Sequence, residues 1–282
     1  MRLADAIDQF VLQLEADGRS PHTTSNYARH LGLLGRWLGP NDDLDAITPQ
    51  VLARFLVADT TRTGRSASTM NAIRTSLRVV FAWLHQAGLI PSNPARMIRR
   101  AICSPPPPKG MSASEIERLL ATVATGSTPE AKRDYVLFGL MAATGVRLSS
   151  AISIMIEDVD LDRAEILLRH TKRDRSERVL LNATTVTLLG EYVGVRRSGV
   201  LFEAMHGGVL GRRQAARRLE GWLERAGLCH RGAHAFRHGF GLALYQRTGD
   251  ILVVQRALGH RSIASTLSYA RATEERVRAA LG

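Results

Sequence analysis

His234-Ala235-Phe236-Arg237-His238, then Leu258-Gly259-His260, then Tyr269 follow one another near the end of the chain in an order that has a chemistry. Thr144-Gly145-Val146-Arg147 adds a second arginine behind an apolar run. A phosphodiester cleaved by a side-chain nucleophile passes through a five-coordinate state with extra negative charge, and fixed cations facing its equatorial oxygens stabilise that state most. Arg147 and Arg237 are the candidates for those cations. His234 lies one helical turn before Arg237, so both side chains share a face. Tyr269 is the candidate nucleophile; its phenol ionises near pH 10 and needs help to lose its proton. His260 precedes it by nine residues, with Gly259 free to turn the chain sharply. His238 reads as structural support.

One lysine belongs with this set. Of 38 basic residues only Lys109, Lys132 and Lys172 are lysines. Lys172 sits in a charged turn, 170–176, where its ammonium can protonate a departing 5′ oxygen as general acid. An arginine cannot, because it does not release its proton. Metal-ligand patterns are missing: there is no H-E-x-x-H, and Cys103 and Cys229 are in no C-x-x-C pair. No phosphate-binding G-x-x-x-x-G-K-[ST] occurs. The residues therefore predict strand transfer on DNA with no metal, no cofactor and no nucleotide.

Something must position these groups, and 282 residues suffice for two domains. Four consecutive prolines, Pro105-Pro106-Pro107-Pro108, forbid helix and mark a linker over 102–110. Before it, 1–101 reads as four helices. Leu3, Ile7, Phe10, Val11 and Leu14 line the first; Tyr27, Leu31, Leu34 and Leu38 the second, which starts at Ser20-Pro21. The third starts at Thr48-Pro49 and runs to about Ala58, and the fourth opens after Gly64 and Ser66. After the linker, 111–282 reads as mixed α+β. Ser112 and Glu115 form a capping box, and the run from Tyr135 to Ala143 is apolar all round, hence a buried helix stopped by Gly145. Three short strands follow at 156–162, 164–169 and 177–182. Helices are then predicted at 183–196, 210–227, 234–247, 250–258, 262–270 and 273–281. The fold class is mainly α, with one small three-stranded sheet.

Charge points to the partner. The net charge is +12, with 12 arginines against 8 acids in residues 1–100 (net +4) and 26 basic residues against 18 acids in 101–282 (net +8). Basicity in both halves fits a polyanion gripped by both. On the helix after Gly211, Arg212, Arg213 and Arg217 cluster near the start, a layout for the major groove and its phosphates. The fourth helix offers Thr69, Asn71, Arg74, Thr75 and Arg78 on its less apolar sides. No apolar run approaches the ~20 residues that span a bilayer, and acids stand where a signal peptide would be apolar, so a cytoplasmic, nucleoid-associated protein is expected.

Taken in order, these segments resemble the tyrosine recombinase (phage integrase) family over essentially the whole chain. T-G-x-R is met by Thr144 to Arg147, H-x-x-R-H by His234 to His238, and L-G-H plus nucleophile by Leu258 to His260 and Tyr269. The β-hairpin lysine corresponds to Lys172. The resemblance implies that 1–101 is a SAM-like core-binding domain and 111–282 the catalytic domain, clamped around duplex DNA. It implies that Tyr269 forms a 3′-phosphotyrosine, that a 5′-hydroxyl of a partner duplex resolves it, and that a homotetramer works through a Holliday junction, with or without accessory proteins. Such proteins commonly carry an acid three residues after the first arginine; here Ser150 stands there. A mobile-element integrase, an Xer-like resolvase, a catalytically inactive DNA-binding relative and a type IB topoisomerase-like nicking-closing enzyme all remain open at this point.

Overall fold

The protein is described by a computed structural model covering residues 1–40, 42–102, 110–171, 175–205, 207–260, 262–263, 266–267 and 269, with backbone alone at 170, 171 and 175. It forms two compact units, Met1–Pro105 and Pro106–Gly282. The proline run lies outside the described residues, as do the helix expected over 273–281 and residues 264, 265, 268 and 270 of that expected over 262–270.

The first unit is α1 (Leu3–Ala16), α2 (Pro21–Leu38), α3 (Pro49–Thr63) and α4 (Ala67–Gln86). Each start after the first is capped by a hydroxyl: Ser20, Thr48 and Ser66 accept from the backbone N–H three residues on, and proline opens α2 and α3. The predicted stripes meet in one core of Phe10, Leu31, Leu34, Phe55, Ile73, Leu77 and Phe81. Third-helix residues continue to Thr63, beyond the predicted end near 58, because Gly64 takes the left-handed conformation and stops the helix only there.

The second unit is α5 (Ala113–Ala124), α6 (Pro129–Thr144), α7 (Leu148–Ala151), strands β1 (Val159–Asp160), β2 (Glu165–Thr171) and β3 (Arg175–Leu180), then α8 (Ala183–Val193), α9 (Arg212–Arg225), α10 (His234–Thr248) and α11 (Ile251–Ala257). The capping box at Ser112 and Glu115 is present in both directions. Central α6 is buried at Val136, Leu137, Phe138, Leu140 and Met141, and Phe138 stacks on Phe236 of α10 at 5.8 Å. The sheet is antiparallel in the order β1-β2-β3. β1 is shorter than the predicted 156–162: residues Ile156–Asp158 form a 3-10 turn, held by Asp158 accepting from the Met155 N–H and pairing with Arg169. Ile166 and Leu168 of β2 point inward, and register pairs Leu168 with Glu177, which puts Glu177 on that inner side. Among the described residues no helix is long and apolar enough to cross a membrane.

A polar knot ties α6 to α9. Asp134, 1% exposed, accepts from Arg133 (2.8 Å to Nη2) and from the Trp222 indole (2.9 Å), and pairs with Arg218. Arg133, also buried, donates to the Glu203 carbonyl at 2.8 Å. Removing one member strands a buried charge. Asp134→Asn is expected to lower unfolding stability by about 3–5 kcal/mol. In urea titration the midpoint falls while the slope m stays put; an unchanged midpoint would refute the assignment.

Candidate active site

Two turns and one helix build the site. α6 ends at Gly145, whose φ of 65° is left-handed; a side chain there would also strike Phe240 at 2.7 Å and Leu258 at 2.9 Å. Two residues later Arg147 begins α7 in extended backbone, with its side chain exposed. α10 presents His234 at its first position, Arg237 one turn on, then His238 and Gly241. α11 ends in the turn Leu258-Gly259-His260, where Gly259 has φ 59°.

Arg237 joins these pieces. It is 6% exposed; Nη1 donates to the Gly145 carbonyl at 2.9 Å and Nη2 to the Leu258 carbonyl. The ends of α6 and α11 are thus hung on one guanidinium from α10. Burial, and then the neighbouring charge of Arg147, lower its pKa from 12.5 to about 10, so it stays cationic at neutral pH.

The two outer imidazoles feel the same field. Burial first, then Arg237, Arg147 and Arg212, push His234 below 6.5. Burial, then Arg237, Arg147 and His238, push His260 down to about 4. Both are neutral rings at pH 7. His260 Nδ1 is hydrogen-bonded to Thr266 Oγ1 at 3.0 Å, and its carbonyl accepts from Gln255 at 2.9 Å. Two guanidiniums and two imidazoles that disfavour each other's protonation form a site short of negative charge.

Tyr269 lies beside them, 6% exposed. Its ring stacks on His260 (centroids 6.4 Å apart, planes 13° apart), and its hydroxyl hydrogen-bonds His238 Nδ1 at 3.0 Å. Burial raises the phenol pKa, with the Arg237 charge opposing. Gly241 makes the seat: a methyl there would sit 2.8 Å from Tyr269 Cζ and 3.0 Å from Cε1. Gly241→Ala is therefore expected to push the ring out and, as an overpacking change, to cost about 1–3 kcal/mol. Tetranitromethane modification, read at Tyr269 by mass spectrometry, should accelerate in the variant; an unaltered rate would show that the seat is not needed.

The structure brings together Arg147, His234, Arg237, His260 and Tyr269. Lys172 lies outside the described residues. Ser150 is in α7, half-exposed, with its carbonyl accepting from the Ser153 hydroxyl at 2.9 Å. Sequence reasoning missed two neighbours. Glu177 of β3 places its carboxylate directly over Gly259, where any side chain would overlap it, and its charge favours that of Arg237. The strand alternation that turns it inward is readable, but its meeting with residue 259 is tertiary. His238, expected only as support, holds the tyrosine hydroxyl. A separate cavity of about 800 Å³, lined by Val136, Leu188, Tyr192 and Arg196 among others, contains none of these groups.

The residues expected on DNA divide. Arg212, Arg213 and Arg217 are exposed on α9, whose Ala215, Leu219, Trp222 and Leu223 face inward. On α4, Thr69 and Arg78 are exposed and Arg74 half-buried. Asn71 departs from the expectation: it is 5% exposed, and its amide bonds both polar atoms of Ala101, at 3.0 and 2.8 Å, tying the segment after α4 to that helix.

Comparison with known proteins shows the family. The model of the phage integrase family matches residues 109–276, and that of the phage integrase N-terminal SAM-like domain matches 7–88. The chain is 30% identical over 271 residues to tyrosine recombinase XerC of Chromobacterium violaceum, covering 94% of this chain and 89% of the relative. It is 29% identical over 272 residues to the protein of the same name from Alcanivorax borkumensis, covering 93% and 88%. Among solved structures it resembles the XerH site-specific recombinase in a pre-cleavage complex with its difH substrate, with a TM-score of 0.75, 24% identity and coverage of 98% and 83%. A lambda integrase dimer bound to a COC′ core site gives 0.77, 18% identity and coverage of 94% and 97%.

Proposed function

The chain belongs to the phage integrase family of tyrosine recombinases, and from that premise we propose how its residues cut and rejoin a specific DNA site. The observation that carries the reading is the convergence of Arg147, Arg237, two neutral imidazoles and a tyrosine around one anion-deficient place. A scissile phosphate supplies the missing charge. Arg237 has five N–H donors, of which two are committed to carbonyls, leaving three for the non-bridging oxygens. Arg147 approaches the phosphate from the exposed side. His234 and His260, as neutral rings, donate hydrogen bonds to it and hold protons at its edge.

The Tyr269 oxygen attacks phosphorus, the bond to the 5′ oxygen breaks, and Lys172 protonates that oxygen. The product is a 3′-phosphotyrosine and a 5′-hydroxyl. A 5′-hydroxyl from the partner duplex then attacks phosphorus, and the tyrosine oxygen leaves. The two guanidiniums offset the charge that builds at phosphorus, and the bond energy is kept in the protein–DNA linkage, so the reaction runs without metal or nucleotide. Arg212, Arg213 and Arg217 grip phosphates and groove from α9; Thr69, Arg74 and Arg78 do so from α4. Strand exchange between two duplexes calls for four copies of the chain. The curated relatives, named tyrosine recombinase XerC, favour an Xer-like resolvase over a mobile-element integrase.

The test is covalent capture. A pool of nicked duplexes with randomised sequence is incubated with the protein in EDTA, and DNA that stays bound through denaturation is sequenced. A single recovered site, linked through Tyr269 by mass spectrometry, is the expected result. Capture that requires a divalent cation, or none from any sequence, would overturn the reading.

A further inference from the structure

Phosphotyrosine formation leaves one proton without an owner, that of the nucleophile itself. We propose that His238 is a catalytic residue: its Nδ1 takes the phenolic proton of Tyr269. The proposal rests on the recombinase reading above and adds a general base to it.

The geometry separates the three imidazoles near the tyrosine. His260 stacks nearly parallel to the ring, with planes 13° apart, and its Nδ1 is engaged by Thr266 rather than by the Tyr269 hydroxyl. His234 opens α10, in the field of Arg212 as well as both arginines of the cluster. His238 Nδ1 is 3.0 Å from the Tyr269 oxygen, inside the span across which a base abstracts a proton. One turn along α10, Gly241 makes the hollow that lets the ring lie within that reach. Seat and acceptor thus come from the same helix face.

The step balances. The Tyr269 O–H bond breaks, its proton passes to Nδ1 and its electron pair stays on oxygen, which then forms the bond to phosphorus. His238 becomes an imidazolium, and on rejoining it returns the proton to the departing tyrosine oxygen. For this the resting ring carries its hydrogen on Nε2. A new cation here adds to the charges of Arg237, Arg147 and any proton on His260, with Glu177 the opposing carboxylate near Arg237. It is tolerable once a phosphate anion has entered, so the base acts only with DNA in place.

The experiment uses the full chain and the nicked duplex recovered by covalent capture, in single turnover. His238→Gln keeps a hydrogen-bond acceptor but cannot take a proton. It should bind the duplex as wild type does and form adduct roughly 100-fold or more slowly, as for loss of a general base. Added imidazole should partly restore His238→Ala. Replacing Tyr269 by a fluorinated tyrosine, whose phenol ionises more readily, should shrink the His238→Gln defect, and this readout compares two proteins sharing the same residue 238. If His238→Gln cuts at the wild-type rate or faster, His238 merely parks the ring and the proposal falls. An equal defect with tyrosine and fluorotyrosine also sinks it. Absence of adduct from wild type would instead remove the recombinase reading beneath it.

Discussion

Tyr269→Phe should bind the captured duplex normally and form no covalent adduct at all. The substitution removes one oxygen and keeps the ring that fills the hollow over Gly241 and stacks on His260. Its stability effect is accordingly small: the hydroxyl's hydrogen bond to His238 is worth about 0.5–1.5 kcal/mol. In the proposed mechanism that oxygen, by contrast, is the atom joined to phosphorus, and the Thr266 hydroxyl is bonded to His260. Denaturing gel electrophoresis of protein with the nicked duplex decides the matter, with gel shift as the binding control. A shifted but unlinked complex is the expected pattern. A linked band surviving in the variant would mean that another residue is the nucleophile.

Arg237→Lys is the second large effect, and it strikes twice. Loss of a preformed donor to a developing anion costs about 10²–10³-fold in rate. A lysine keeps the charge but has one nitrogen, which cannot reach the Gly145 and Leu258 carbonyls and a phosphate together. Each buried carbonyl left without a donor costs about 1–3 kcal/mol, so slowed cleavage should come with a lower urea midpoint. Arg147→Lys is the control: Arg147 is exposed and makes no hydrogen bond from its side chain among the described residues. It should lose rate with the midpoint unmoved. If Arg237→Lys slowed cleavage without destabilising the protein, its role as the joint between α6, α10 and α11 would be wrong.

Much of this was legible in the chain because the signals are local. Ser20-Pro21, Thr48-Pro49 and the Ser112 box are start signals written in adjacent residues, and the stripes of α1, α2 and α4 follow one helical period. Arg147 and Arg237 were legible through short motifs. What escaped depends on neighbours remote in sequence. Residues 156–158 have the composition of a strand, but Asp158 draws them into a turn through Arg169, eleven residues on. Asn71 has the look of a solvent-facing base reader, yet Ala101, thirty residues later, takes its amide. Glu177 and Gly259 are 82 positions apart, and nothing near either announces that they meet. His238 reads as scaffolding because its companion, Tyr269, lies 31 residues downstream.

The mutual discouragement of protonation around Arg237 has a thermodynamic corollary. Without a ligand, the folded protein holds the Arg237 cation out of water and beside the charge of Arg147, so this centre subtracts from its thermal endurance. An anion that binds there stabilises the folded state by mass action, and is a missing piece of the fold as much as a substrate. Readiness to act and reluctance to stay intact are, in this chain, the same set of charges.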